Sequence, residues 1–198
     1  LMFSTQISEA IKVTDCKYLL NAGTSWEHFE SSIYNPTCLY AATKYAYQAI
    51  LKYYIETGDL SVITLKLFDT YGPDDHRPKL IPFLKKISRD NTELEMSPGG
   101  QLIDIVHIDD VLGAFLCAVD RLLEGLVSGH EIYAVSSGSP ITVKQLVSEY
   151  EKVLESKINI RWGKRPYRDR EVMIPWNTGS VLPNWEPSIT LSEGLKTI

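Results

Sequence analysis

Apolar positions along this chain change their period again and again, and each change marks an element. The run "CKYLLNAG" predicts a short buried strand at about 17–22, and "LSVITLKLF" (60–68), β-branched and bounded by a turn, predicts a second. Between them, "CLYAATKYAYQAILKYYIETG" (38–58) carries its apolar residues at helical spacing and ends on Gly58, a residue suited to closing a helix. Residues 79–90 predict another helix, and "ELEM" and "QLIDIVHI" predict short strands on either side of Pro98-Gly99-Gly100. Asp109 or Asp110 is expected to cap a helix whose core stripe is Val111, Phe115, Ala118, Val119 and Leu122. "GHEIYAVSS" reads as a further strand. Thr142 with Gln145, and Thr190 with Glu193, have capping-box spacing; the first opens a helix with Val143, Leu146, Val147, Tyr150 and Leu154 on one side. Strands alternating with helices predict an α/β protein.

Composition narrows the function classes. The chain has 198 residues, 44% hydrophobic and 23% charged, enough for one large domain or two small ones. A net charge of −5 and a pI near 5.4 argue against nucleic acid or an anionic membrane surface as partner. No apolar run approaches the roughly 20 residues that span a bilayer. Cys16, Cys38 and Cys117 are scattered and odd in number, so neither a disulfide framework nor a metal site is expected, and a reducing cytoplasm is. The opening "LMFSTQISEAIKV" reads as the rear of a helix with no cap before it, so a missing front segment is expected.

Tyr40 and Lys44 stand four apart on the first long helix and therefore share a face. An ammonium one turn from a phenol favours the phenolate, which predicts a Tyr40 pKa lowered toward the working range. Thr24 and Ser25 follow the first strand, in the place where α/β sheets bind ligands. A hydroxyl there suits a hydrogen bond to a substrate oxygen. The set reads as a proton-transfer site for alcohol–ketone chemistry, although turn chemistry explains Thr24 and Ser25 equally well.

Four segments in order extend this picture. The Tyr40 helix with its loop, "LFDTYGPDD", "GGQLIDIVHIDDVLGAFLCAV" and "NWEPSITLSEGLKTI" resemble the catalytic half of the extended short-chain dehydrogenase/reductase superfamily, the nucleotide-sugar epimerases, dehydratases and ketoreductases. The resemblance implies a Rossmann-like parallel sheet, present as its C-terminal half, with a smaller α+β substrate-binding domain. Residues 1–75 would belong to the Rossmann domain and 76–198 mainly to substrate binding, with 101–135 partly returning to the sheet. It implies NAD or NADP as cofactor, a nucleotide-sugar substrate, and a homodimer seamed by the Tyr40 helix and the helix after the second strand. Tyr40 would be the general acid/base, Lys44 would hold the nicotinamide ribose, and Thr24, or Ser25 in its stead, would bind the reacting sugar hydroxyl.

Departures from the family pattern refine the expectation. Ser25 and Trp26 follow Thr24 where dehydratases carry acids, and Glu27 is out of place, which favours 4-keto reduction or epimerisation. Asp69 and Ile103 replace a family Asn and Arg that commonly serve the diphosphate. A substitute is visible in "IRWGKRPYRDR", where Arg161, Lys164, Arg165, Arg168 and Arg170 supply five of the chain's 20 basic residues. Guanidinium forks suit diphosphate, and Arg170 and Arg168 are favoured ahead of Arg165. Lys79 and Leu80 are candidates for the pocket lining, and His107 is expected to be structural. No Gly-x-x-Gly-x-x-Gly or Gly-x-Gly-x-x-Gly occurs; the missing front is expected to supply it, in on the order of ~100 residues.

The expected activity is an NAD(P)-dependent nucleotide-sugar epimerase or 4-ketoreductase of surface-polysaccharide biosynthesis. The "TSW" loop and "RPYRDRE" resemble the branch making CDP-3,6-dideoxyhexoses. Two alternatives stand beside it: a non-catalytic relative used for binding or dimerisation, and a reductase of non-nucleotide substrates such as steroids or flavonoids.

Overall fold

The computed structural model describes residues 1–198. Helix α1 (Met2–Lys12) leads to strand β1 (Tyr18–Thr24), a 3-10 turn (Ser25–Glu27), helix α2 (Leu39–Thr57), strands β2 (Ser61–Leu67) and β3 (Asp69–Tyr71), and helix α3 (Leu80–Asp90). Then come β4 (Leu94–Glu95), β5 (Leu102–Ile103), β6 (Ile105–His107), α4 (Ile108–Leu123), β7 (His130–Val135), β8 (Ile141–Thr142), α5 (Val143–Leu154), β9 (Ile160–Arg161) and α6 (Leu191–Leu195). No helix is long and apolar enough to cross a membrane.

Strands β1, β2 and β7 form a parallel sheet in that order, with Thr24 level with Leu67 and Leu67 level with Val135. All three therefore end together, at one edge. Central β2 is buried on both faces, as the apolar run in its sequence demands. Successive side chains point to opposite faces. Ile63 and Leu65 pack with Val111, Ala114, Ala118 and Leu122 of α4, whereas Val62 packs with Tyr47, Leu51 and Tyr54 of α2. Each fully buried aliphatic side chain contributes roughly 1.5–3 kcal/mol, so these two layers hold the sheet edge in place. A separate core joins Ile81, Leu84 and Ile87 of α3 to Leu146, Val147 and Tyr150 of α5 and Leu195 of α6.

Several expectations need correction. Helix α4 begins at Ile108, and its cap is His107, whose Nδ1 accepts from the Asp109 amide at 3.3 Å. Asp110 instead turns outward from the helix, accepting from the Ser188 and Ile189 amides, both at 3.0 Å, so its carboxylate anchors the C-terminal segment. Ala114 takes the core place expected of Val119, which is exposed. Gly58 follows α2 in an extended conformation, so no left-handed closure occurs there. The apolar face of α3, with Ile81, Leu84 and Ile87, is buried inside the chain. Helix α1 lies beside α2, joined through the Ser8 and Tyr47 hydroxyls at 2.9 Å, while its Met2 and Phe3 are exposed. Both capping boxes form, at Thr142 with Gln145 and at Thr190 with Glu193.

Candidate active site

The carboxyl end of β1 organises the first half of the site. Lys44, one turn into α2, extends its Nζ to the Ala22 carbonyl at 2.9 Å, which pins the ammonium against the end of the strand. Thr24 closes the strand, and its Oγ1 accepts from the Trp26 amide at 3.3 Å, leaving the hydroxyl proton free to donate. Thr24 and Ser25 are both buried. Tyr40 is half-exposed, with its ring centroid 5.8 Å from Lys44 Nζ.

The expected acidification of Tyr40 does not occur in this chain. Burial of its hydroxyl, with Cys38 and Glu27 nearby, raises the phenol above its ordinary value. Burial is the leading cause, and Lys44, whose Nζ donates to the Ala22 carbonyl, does not offset it.

A cleft of about 230 Å³ opens beside this loop. That is below the roughly 300–1,000 Å³ of pockets that enclose a whole drug-sized ligand. Ser25, Trp26, Thr37 and Cys38 form one wall, Asp69, Ile103 and Asp104 a second, and Arg168, Arg170 and Trp176 a third. Residues from four distant stretches thus converge, including the two positions, Asp69 and Ile103, where the family pattern is broken. Among the expected site residues, Ser25, Asp69, Arg168 and Arg170 line the cleft; Thr24, Tyr40, Lys44, Lys79, Leu80 and Arg165 do not. Tyr40 lies two residues beyond Cys38. Lys79 reaches Asp69 at 3.5 Å from outside, Leu80 packs on the α3–α5 core, and Arg165 is exposed, tied only through its amide to the Met96 carbonyl.

The third wall is clamped to the loop between β1 and α2. Arg170 donates from Nη2 to Asn35 Oδ1 at 2.7 Å and lies 4.2 Å over the Phe29 ring. Glu30 Oε1 accepts from the Met173 and Ile174 amides at 2.6 and 3.3 Å. Trp176 stacks on His28, their centroids 4.0 Å apart and planes tilted by 8°.

Beneath that stack lies a polar network that pattern reading missed. Glu27, fully buried, accepts from Gln48 Nε2 at 2.8 and 2.9 Å and pairs with Lys66 Nζ at 3.0 Å. The same ammonium donates to His28 Nε2 at 2.8 Å. Since an ammonium only donates, Nε2 is the acceptor, and Nδ1 carries the proton that reaches the Ile33 carbonyl at 3.1 Å. Burial, reinforced by Lys66, lowers His28 to a pKa of about 4. The sign of this network in the sequence is a lysine, Lys66, inside a buried, mainly apolar strand.

The model of the NAD dependent epimerase/dehydratase family matches residues 1–135. The chain belongs to the NAD-dependent epimerase/dehydratase family. Among relatives of this family, the CDP-abequose synthase of Salmonella muenchen is 27% identical over 99% of the chain and 67% of its own length. The UDP-glucuronate 4-epimerase of Thermodesulfobacterium geofontis is 28% identical over 85% of the chain and 51% of its own length. The chain thus spans about half to two thirds of the length of these epimerase/dehydratase relatives. In fold it is similar to MoeE5, solved with UDP-glucuronic acid and NAD, at a TM-score of 0.85 and 22% identity, covering 100% of the chain and 68% of MoeE5. It is equally similar to the UDP-glucuronic acid 4-epimerase of Bacillus cereus, at a TM-score of 0.86 and 19% identity, over 99% and 64% of the two chains. The parallel sheet of this epimerase/dehydratase member is accordingly Rossmann-like.

Proposed function

We propose that this chain carries the catalytic and substrate-binding portion of an NAD(P)-dependent nucleotide-sugar epimerase or 4-ketoreductase, acting in surface-polysaccharide biosynthesis in the cytoplasm. The observation that carries the reading is the convergence of Ser25, Asp69, Arg168 and Arg170 in one cleft, next to the Tyr40 loop and at the carboxyl ends of parallel strands. Residues 1–75 serve the cofactor side and 76–198 mainly the substrate side, with 101–135 partly returning to the sheet. The molecule acts as a homodimer, seamed by α2 together with α1, whose Met2 and Phe3 are exposed.

The residues present fit the nicotinamide end of NAD or NADP. Lys44 is held where a ribose would meet the strand end, and the half-exposed Tyr40 stands beside it. They do not include a glycine-rich turn for the pyrophosphate. The cofactor, when bound, supplies the site that accepts or returns a hydride. In oxidation of a sugar alcohol, Tyr40 Oη takes the hydroxyl proton as the hydride departs from the same carbon; in reduction it returns that proton. Lys44, held at the strand end beside Tyr40, would sustain the phenolate through its positive charge. Ser25 or Thr24 donates a hydrogen bond to the reacting oxygen, and Thr24 has its proton available because its lone pair is taken by Trp26. Arg168 and Arg170 hold the diphosphate, with Arg165 in support from outside the cleft and Lys79 and Leu80 bordering the nucleotide.

The buried Glu27, paired with Lys66 and hydrogen-bonded by Gln48, is withheld from the cleft and is no acid for expelling water, which separates this site from a dehydratase. Replacing Tyr40 by Phe in the protein expressed from its complete reading frame should abolish turnover of CDP-, UDP-, GDP- or dTDP-sugars while leaving their binding intact. Full activity in that variant overturns the assignment.

A further inference from the structure

The charges of the cleft can be counted side chain by side chain. Asp69, Asp104 and Glu171 line it as anions, and Arg168 and Arg170 as cations. His28 is neutral near pH 7, and Lys66 behind it is matched by Glu27. Asp104 is met by a hydroxyl and an amide, from Ser136 Oγ at 2.5 Å and Ser137 at 2.8 Å, with no cation against it. Asp69 has Lys79 alone, at 3.5 Å. The next cation along, Arg77, is forked onto Asp75 through Nε and Nη2, each at 2.7 Å, and is not free to turn inward. Arg168 Nε stands 4.0 Å from Glu171.

On the nucleotide-sugar reading, on which this inference rests, the diphosphate brings two negative charges and engages both arginines. The cation left beside the cleft, Lys79, is already paired with Asp69, so no unpaired cation remains to receive a third. A carboxylate on the sugar would enter a partly dry space already holding the Asp69 and Asp104 carboxylates, where like charges repel most strongly. Burial already drives the Asp69 carboxyl above the usual carboxylate range, so its surroundings resist even one negative charge. Sugar hydroxyls, by contrast, donate to these carboxylates and leave none of them unpaired.

We infer that the sugar bound here is an uncharged hexose, and that Asp69, with Asp104 behind it, turns hexuronates away. Asp69 thereby acts as a specificity-determining residue for the sugar, in the place where the family pattern has an amide.

The test uses the protein expressed from its complete reading frame, with its nicotinamide cofactor. The glucose conjugates of CDP, UDP, GDP and dTDP are titrated by calorimetry. The tightest binder is then compared with its own C6-oxidised glucuronate, which differs only in CH2OH against carboxylate. The glucuronate is expected to bind at least tenfold more weakly, and Asp69→Asn is expected to shrink that ratio severalfold by improving glucuronate binding. Equal or tighter glucuronate binding by the unaltered protein overturns the inference while leaving the nucleotide-sugar reading intact. An unchanged ratio in Asp69→Asn removes Asp69 from the account. If none of the four glucose conjugates binds at millimolar concentration, the nucleotide-sugar reading falls and takes the inference with it.

Discussion

Lys66 offers the sharpest test of how this fold supports its cleft. Lys66→Met leaves the Glu27 carboxylate buried with Gln48 as its one remaining partner. The Lys66 and Glu27 side chains are 6% and 0% exposed and meet at 3.0 Å, so solvent screens them little. At that separation and an effective dielectric constant near 20, their attraction is roughly 5 kcal/mol. Removing one member of a buried pair costs about 3–5 kcal/mol, because the other charge is stranded. Urea denaturation followed by tryptophan fluorescence should show Lys66→Met less stable by about 3–5 kcal/mol with an unchanged denaturant slope. Glu27→Gln combined with Lys66→Met should recover much of that loss, giving a coupling of more than about 1 kcal/mol in a double-mutant cycle. Loss below about 1 kcal/mol in the single variant, or strict additivity in the cycle, would show that the pair does not act as a buried unit.

Three further outcomes follow from the same geometry. His28 is neutral in the folded chain down to about pH 4 but protonates near 6.5 once unfolded. The unfolded state then binds more protons, so stability falls by about 3 kcal/mol as pH drops from 6.5 to 4, and His28→Gln should flatten that limb in pH-dependent denaturation. Gly179→Ala would place a methyl 2.6 Å from the Ala134 Cβ and 2.8 Å from the Trp176 ring, so it should push Trp176 off His28 and weaken nucleotide-sugar binding severalfold in calorimetry, with little change if Trp176 does not floor the cleft. Since burial raises Tyr40, the step that separates wild type from Tyr40→Phe in an ultraviolet pH titration of the cofactor-free protein should lie above pH 10; a step below 10 would show that burial does not govern this hydroxyl.

The elements were legible in the sequence because their periods are strong: the run at 60–68 is a central strand, and both capping boxes form where Thr and Gln or Glu stand three apart. Boundaries failed where a local competitor won. His107 took the cap because the helix already begins at Ile108 and its ring nitrogen accepts from the Asp109 amide, while Asp110 was recruited by a segment nearly 80 residues away. The candidate site was legible in parts. Arg168 and Arg170 were preferred over Arg165, and these two alone of the three line the cleft. The direction of the Lys44 side chain was not legible, since helical spacing places it near Tyr40 without deciding that the Ala22 carbonyl captures it. Trp176, His28 and Glu27 lie in irregular segments, and only tertiary packing joins them to Lys66.

Arg170 is already occupied before any ligand arrives, hydrogen-bonded to Asn35 and resting on Phe29. A phosphate that recruits it must draw the guanidinium away from the stretch leading into Tyr40, or share it with that stretch. Filling the pocket and slackening the loop are then one equilibrium viewed from opposite ends. A substitution at Asn35, remote from every reacting atom, would therefore retune affinity by changing what the incoming anion has to displace.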